Sequence, residues 1–311
     1  MPARFARVPA FAKINLSLKV LRKRSDNFHE LRTVFQTVGL CDWLEIEYQN
    51  SRHTQVTVDS EPVIPDNLVA RAAERFLDST KTTAKIRFRL EKRIPMGGGL
   101  GGGSSDAAAV LLTLPVLAGK RFPGMHLTAS ELGSDIPFFL RGGTAIGLSR
   151  GEELYPLADF PPSPVLIVTP PVHVSTAEAY RALGRGLTSP DESHKLSIFQ
   201  SFVWRESSVS AAENDFEGVV FRQHPELRHW LRKLEASGAR LARMSGSGSS
   251  LFGIYPSAED LREALPLFPR EQVRVFPTRL LTRRGYRSAW WRSLQEHIDD
   301  LTWPPRSRYL R

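Results

Sequence analysis

With 311 residues, 41% of them hydrophobic and 24% charged, the chain has enough material for two globular cores, since single cores seldom grow past about 250 residues. No apolar run approaches the roughly 20 residues of a membrane helix, and Lys13 and Asn15 interrupt the basic opening "MPARFARVPAFAKINLSLKV" where a signal peptide needs an apolar run, so a cytoplasmic protein without a membrane partner is expected. One cysteine, Cys41, excludes an internal disulfide, and the net charge of +9 is concentrated at one end: eight arginines against Glu296, Asp299 and Asp300 put +5 between Arg279 and Arg311.

That arginine tail, with Trp290, Trp291 and Trp303, has two readings. One is phosphate tracking along a nucleic acid; the other is a solvated extension with its tryptophans packed on the domain. The second is adopted, and no nucleic-acid partner is expected.

In chain order, residues 11–20 and 31–48 are rich in β-branched and aromatic side chains and "TQVTVD" (54–59) alternates at period two, so strands are expected. "DNLVARAAERFLDS" has helical spacing behind Asp66 or Asn67 as cap. "AKIRFRLEKRIP" (84–95) alternates again and delivers the chain into "MGGGLGGG", after which "SSDAAAVLLTLPVLAG" reads as a buried helix stopped by Gly119. The prolines of "DFPPSPV" (159–165) mark a linker.

Beyond the linker, "PVLIVTPPVHV" reads as a strand, Ser175 and Glu178 form a capping box before a helix through Tyr180 to Leu183, and 184–212 is an irregular excursion. A helical pattern from Asn214 to Ser237 is broken or re-capped at Pro225. Two strands around "SGSGSS", a helix over "SAEDLREALPLF" and a strand "QVRVFP" complete the order β-α-α-β-β-α-β, an antiparallel sheet backed by helices. Domains are expected at 1–162 and 163–285, followed by a basic extension, 286–311.

A strand, a glycine-rich turn and a helix start make an anion site: bare backbone N–H groups approach phosphate oxygens and the helix dipole favours negative charge. No Gly-Lys-Ser/Thr closes the loop, and no ribose-binding acid or kinase-type lysine strand follows, so the common nucleotide motifs are excluded. "PMGGGLGGGSSDAA" resembles the second signature of the GHMP kinases, in the long form of the branch that acts on a cytidine-diphosphate-linked methylerythritol. "AFAKINLSLKV", "RSDNFHELRTVFQTV", "LGSDIPFFLRGGTAIGLSRGEEL", "ENDFE" and "ARMSGSGSSLFGIY" resemble the other family blocks, in family order.

The resemblance implies an α+β protein of two domains, a ribosomal-protein-like N-terminal fold and a ferredoxin-like C-terminal one. It implies ATP with Mg2+, the nucleotide lying over Pro95, Met96, Gly97, Gly98, Gly99, Leu100, Gly101, Gly102, Gly103, Ser104 and Ser105, with either serine a candidate to touch the metal. Asp135 and Lys13 correspond to the family's catalytic pair. Read alone, Asp135 is a helix cap or turn residue, or a costly carboxylate among Leu132, Ile136, Phe138 and Phe139 that needs a partner; Lys13 alone is a solvent-facing strand residue.

Asn15 follows Lys13 by two and shares its strand face, and its family counterpart lies at the substrate site. Phe28 and His29 offer an aromatic plane and a hydrogen-bonding ring for cytosine, although Asn27 and Phe28 stand where the family has Gly and Tyr. Val174 stands near where some relatives place a second aromatic, which leaves open whether two faces grip the base. Thr169 and Thr176 are weaker contacts. The substrate is expected to be a small molecule, and the protein a monomer or weak homodimer. The alternatives are another small alcohol, of homoserine or mevalonate type, or a basic nucleic-acid-binding protein.

Overall fold

The computed structural model describes residues 2–24, 28–184 and 212–310. Asn27 and nearly all of the expected 184–212 excursion lie outside these residues.

The first sheet is built on a long antiparallel pair, β1 (Arg4–Lys23) and β2 (His29–Asn50), which extend well past the expected strands. The other edge of β2 is shared: its second half pairs with β4 (Ala84–Glu91) and its first half with β5 (Thr144–Ser149). The parallel strand β3 (Gln55–Glu61) lies outside β4, and β6 (Glu153–Pro156) lies outside β5. Strand β4 alternates strictly between buried and exposed residues, as a sheet with one wet face requires. It ends at Glu91, short of the expected Pro95, because Asp42 Oδ1 accepts the N–H groups of Arg93 and Ile94 that a ladder would otherwise use.

Helices cover the dry face. Asn67 caps α1 (Leu68–Thr80) by accepting from the Val69 N–H, and α2 (Gly102–Ala118) is buried almost throughout and stops at Gly119 in the left-handed conformation. The start of α2 precedes the expected Ser104 because Ser105 donates its N–H to the Gly101 carbonyl and closes the first turn there. Two short helices, α3 (Met125–Leu132) and α4 (Ile136–Phe139), follow.

The second sheet runs β10 (Arg274–Arg279), β7 (Pro164–Thr169), β9 (Leu251–Ile254), β8 (Leu241–Met244), with all neighbours antiparallel. Strand β7 ends at Thr169, earlier than expected, because Pro170 and Pro171 lack the N–H a strand must donate. Helices α5 (Thr176–Gly184), α6 (Asp215–Gln223), α7 (Pro225–Ala236) and α8 (Ala258–Ala264) accompany it. Pro225 opens α7 and thus re-caps the helical run, so that among the described residues the order is β-α-α-α-β-β-α-β, one helix more than expected.

A core cluster fills each layer, and a third joins them: Ala12, Ile14 and Leu16 of β1 pack with Val165 and Ile167 of β7, Phe252 and Leu280. This contact sets the cleft between the sheets. The C-terminal segment packs its tryptophans on the first domain, as expected, and leaves Arg284, Arg292, Arg306 and Arg308 exposed. Helix α9 (Arg283–Leu294) buries Tyr286, Trp290 and Leu294 in the first core, with Trp291 and Trp303 packed against it.

Candidate functional site

The cleft between the two layers holds a cavity of about 1010 Å³. Lys13, Asn15, Asp135, Gly99, Gly101, Ser104, Phe28 and His29 all line it. Four separate stretches of the sequence therefore converge on one space.

Lys13 is 4% exposed, and so buried an ammonium needs partners. Its Nζ donates to Asn15 Oδ1 at 2.7 Å and stands 3.4 Å from Asp135 Oδ2, with the Phe35 ring centroid 5.4 Å away. Asn15 Nδ2 donates to Thr33 Oγ1 at 2.6 Å, and Thr33 in turn donates to the Ser17 carbonyl, so the amide orientation is fixed. Thr33 lies within the block "RSDNFHELRTVFQTV", but its role as the partner of Asn15 emerges only when β2 pairs with β1.

Asp135 occupies the N-cap position of α4, yet its carboxylate makes no capping bond. Phe138 and Phe139 are fully buried and anchor the helix. The carboxylate, 29% exposed, is left facing Lys13 on one side and the cavity on the other. Gly151 closes in behind it: a Cβ there would lie 4.0 Å from Asp135 Oδ1.

The glycine loop is stitched to its surroundings through its carbonyls. Gly98 O accepts from the Ser250 N–H, Gly99 O from Ser245 Oγ, and Leu100 O from the Lys13 N–H. From Gly99 to Ser104 no backbone N–H donates to another described residue, which is the arrangement an anion site needs. Glycine also serves packing here. A Cβ on Gly99 (φ 74°) would lie 2.0 Å from the Ser245 carbonyl oxygen, and one on Gly101 (φ 71°) 2.8 Å from the Phe139 ring.

Other loop residues stand back from the cavity. Pro95, Gly98, Leu100 and Ser105 are buried; Met96, Gly97 and Gly103 are exposed; Gly102 lies over Ile94 and Lys92. Between the two serines, Ser104 faces the cavity and Ser105 is 2% exposed. Thr176 Oγ1 bonds Ser247 Oγ on the cavity wall, whereas Thr169 bonds Ser250 behind the loop. Val174 is buried against the Gly248 turn.

Beneath the loop lies a buried charge cluster assembled from three segments that no local pattern links. The Lys92 ammonium pairs with Asp42 and, at 2.7 Å, with Asp106. Burial works to lower the lysine's pKa, but the two carboxylates outweigh it and raise it. Burial, only partly offset by Lys92, together with the Asp42 charge pushes the Asp106 carboxyl up to about 7. The cluster ties β2, the end of β4 and the first turn of α2 together.

At the far end of the cavity His29 stacks on Tyr180, ring centroids 4.7 Å apart and 22° between planes, and Tyr180 sits edge-on to Phe216. Burial, then the Lys23 charge, hold the imidazole below its ordinary value. Burial and the Asp135 charge push the Tyr180 hydroxyl up, so it stays protonated. Phe28 is 52% exposed, with the Arg150 guanidinium 4.9 Å from its centroid. Tyr180 is the aromatic that sequence reading missed; its position in a short amphipathic helix looks like ordinary packing.

Comparison with known proteins places this geometry. The family description "GHMP kinases N terminal domain" matches residues 67–143, and "GHMP kinases C terminal" matches residues 204–268. A relative from Solibacter usitatus, named 4-diphosphocytidyl-2-C-methyl-D-erythritol kinase, is 48% identical over 98% of both chains.

The chain is a GHMP kinase.

A Pelotomaculum thermopropionicum protein of the same name is 38% identical over 88% of this GHMP kinase and 98% of its own length. A crystal structure of 4-(cytidine 5'-diphospho)-2C-methyl-D-erythritol kinase, 36% identical, superposes with a TM-score of 0.75 over 88% of this chain and 98% of that one. Homoserine kinase from Cytophaga hutchinsonii shares the fold at 17% identity, with a TM-score of 0.70 over 90% of this chain and 96% of that one. The expected two-domain α+β GHMP fold is therefore the fold of this chain. Among the described residues no cluster of three or more His, Cys, Asp or Glu side chains forms a ready-made metal site, and no helix is long and apolar enough to cross a membrane.

Proposed function

We propose that this GHMP kinase transfers the γ-phosphoryl group of ATP to the 2-hydroxyl of 4-diphosphocytidyl-2-C-methyl-D-erythritol, a step in the non-mevalonate supply of isoprenoid precursors. The observation that carries the reading is a single cavity joining the Lys13–Asp135 pair to the aromatic end formed by Phe28, His29 and Tyr180. A hydroxyl acceptor attached to a nucleobase needs both. The relatives that match over nearly their whole length carry the name of this activity.

ATP binds over the loop from Pro95 to Ser105, its phosphates at the unpartnered N–H groups and the start of α2. Asp135 takes the proton of the acceptor hydroxyl as its oxygen bonds to the γ-phosphorus and the bond to ADP breaks. Lys13 holds Asp135 in place and offers positive charge to the attacking oxygen. Asn15, fixed by Thr33, orients the ammonium and meets the substrate. His29, neutral at pH 7, and Tyr180 receive the cytosine with Phe28, and Lys23, Arg150 and Arg181 on the same wall suit a diphosphate linker. Ser104 and Asp135, both on the cavity lining, would offer oxygen ligands to Mg2+, which would supply charge neutralisation to the triphosphate.

The reading includes a cytoplasmic monomer or weak homodimer, divided near residues 162 and 285, with no nucleic-acid or membrane partner. ADP release is to be compared for the cytidine substrate, homoserine and mevalonate. Turnover is expected with the first; turnover confined to either of the others sinks the proposal.

A further inference from the structure

Helix α4 begins at Asp135 and α2 begins at the phosphate loop. Both have the opposite end in contact with the C-terminal segment. Tyr286 Oη donates to the carbonyl of Phe139, and Trp303 Nε1 donates to that of Leu140 at 2.8 Å. These are carbonyls at the helix end, where no intrahelical donor remains. At α2, Ser307 Oγ donates to the Val116 carbonyl at 2.6 Å, and Tyr309 lies on Gly119, where a Cβ would meet it at 3.1 Å.

Tyr286 does more than cap. It is 1% exposed, and its ring packs on Phe11 at 5.5 Å between centroids, two residues before Lys13 on β1. One side chain therefore touches the strand that carries Lys13 and the helix that carries Asp135. The fit is close: a Cβ on Gly142 would lie 2.4 Å from the Tyr286 ring. His297 secures the rest of the segment, with Nε2 on the Phe5 carbonyl at 2.7 Å and Nδ1 on Tyr309 Oη at 3.1 Å.

We propose that Tyr286, seconded by Trp303, is a positioning residue that sets the separation of Lys13 and Asp135, so that the C-terminal segment acts on the rate of phosphoryl transfer and not only on stability. The inference rests on Asp135 being the proton acceptor. It gives the tryptophan- and arginine-rich end a role in the chemistry that its charge does not suggest.

The test uses the full chain. Tyr286→Phe keeps the ring and removes the hydroxyl; Trp303→Phe removes the second donor. Each is expected to lower kcat, by about tenfold for Tyr286→Phe, with KM for both substrates within about twofold of wild type. In an Asp135→Asn background Tyr286→Phe is expected to leave the residual rate unchanged, because residues acting through one another are not additive. A lower melting temperature with unchanged kcat in both variants, or an equal fold loss in both backgrounds, overturns the proposal. A crystal structure of Tyr286→Phe decides it independently of the substrate: the 3.4 Å Lys13–Asp135 separation is expected to lengthen, and an unchanged pair contradicts the clamp. Absence of wild-type turnover on the cytidine substrate counts against the functional reading alone.

Discussion

Lys13 Nζ stands 3.4 Å from Asp135 Oδ2 and 2.7 Å from Asn15 Oδ1, in a site where the lysine is nearly inaccessible and the aspartate faces the cavity. In the proposed reaction the exposed partner meets the substrate, and the buried one sets its direction.

Asp135→Asn keeps the shape of the side chain and removes the proton acceptor. Turnover is expected to fall by about 10²- to 10⁴-fold, with ADP affinity within about threefold of wild type. Lys13→Met is expected to be comparably slow and also less stable, since it leaves Asn15 Oδ1 without its donor. Titration of ADP together with steady-state rates checks both. Full activity in Asp135→Asn would remove it from the role of base.

The loop glycines divide by cause. Gly99→Ala places a methyl 2.0 Å from the Ser245 carbonyl at φ 74° and is expected to destabilise the fold by more than about 2 kcal/mol. Gly103→Ala meets nothing nearer than 3.7 Å, at ordinary helical φ. It is expected to be neutral or to stabilise by about 1 kcal/mol, with KM for ATP close to wild type, because its Cβ faces Leu68 and not the cavity. Thermal melts and ATP kinetics on the two variants separate the causes; equal stability loss in both contradicts the division.

Burial and the Lys23 charge hold His29 below its ordinary 6.5, so the ring is neutral through the physiological range. KM for the acceptor is expected to be flat above pH 6.5 and to rise below it as the ring protonates. His29→Asn should remove that rise and Tyr180→Ala should raise KM at every pH, each with ATP affinity unchanged. A pH profile of KM identical in His29→Asn and wild type would refute the assignment.

The Asp42–Lys92–Asp106 cluster makes a stability prediction whose sign follows from Asp106. Its folded value, about 7, lies above the ordinary 3.8, so the folded state binds the proton more tightly. The associated stability is complete below pH 3.8, declines as pH rises and is gone above 7. Wild-type protein is expected to lose more than about 1 kcal/mol between pH 5 and pH 8 relative to Asp106→Asn. Parallel denaturation curves for the two proteins across that range contradict the prediction.

How far the site was legible depends on where its signals lie in the chain. The loop from Gly97 to Gly103 announced itself because phosphate binding compresses its requirements into a few consecutive residues, and Lys13 and Asp135 became readable once family blocks surrounded them. The glycines' second task, closeness to Ser245 and Phe139, was hidden because the partners lie far along the chain. Tyr180 and the Asp42–Lys92–Asp106 cluster look like packing or surface residues until the chain folds, and the partner of Thr33 is unknown until β1 and β2 pair. At the C-terminus the tryptophans are expected to pack on the domain, but which helix ends they and Tyr286 reach no local pattern encodes.

The most direct test of the whole account is the ³¹P spectrum of the products formed from ATP, Mg2+ and 4-diphosphocytidyl-2-C-methyl-D-erythritol. The expected result is ADP together with a new phosphomonoester resonance on a molecule whose diphosphate link is intact. ADP with inorganic phosphate and unchanged acceptor, or no ADP at all from folded protein, would contradict it.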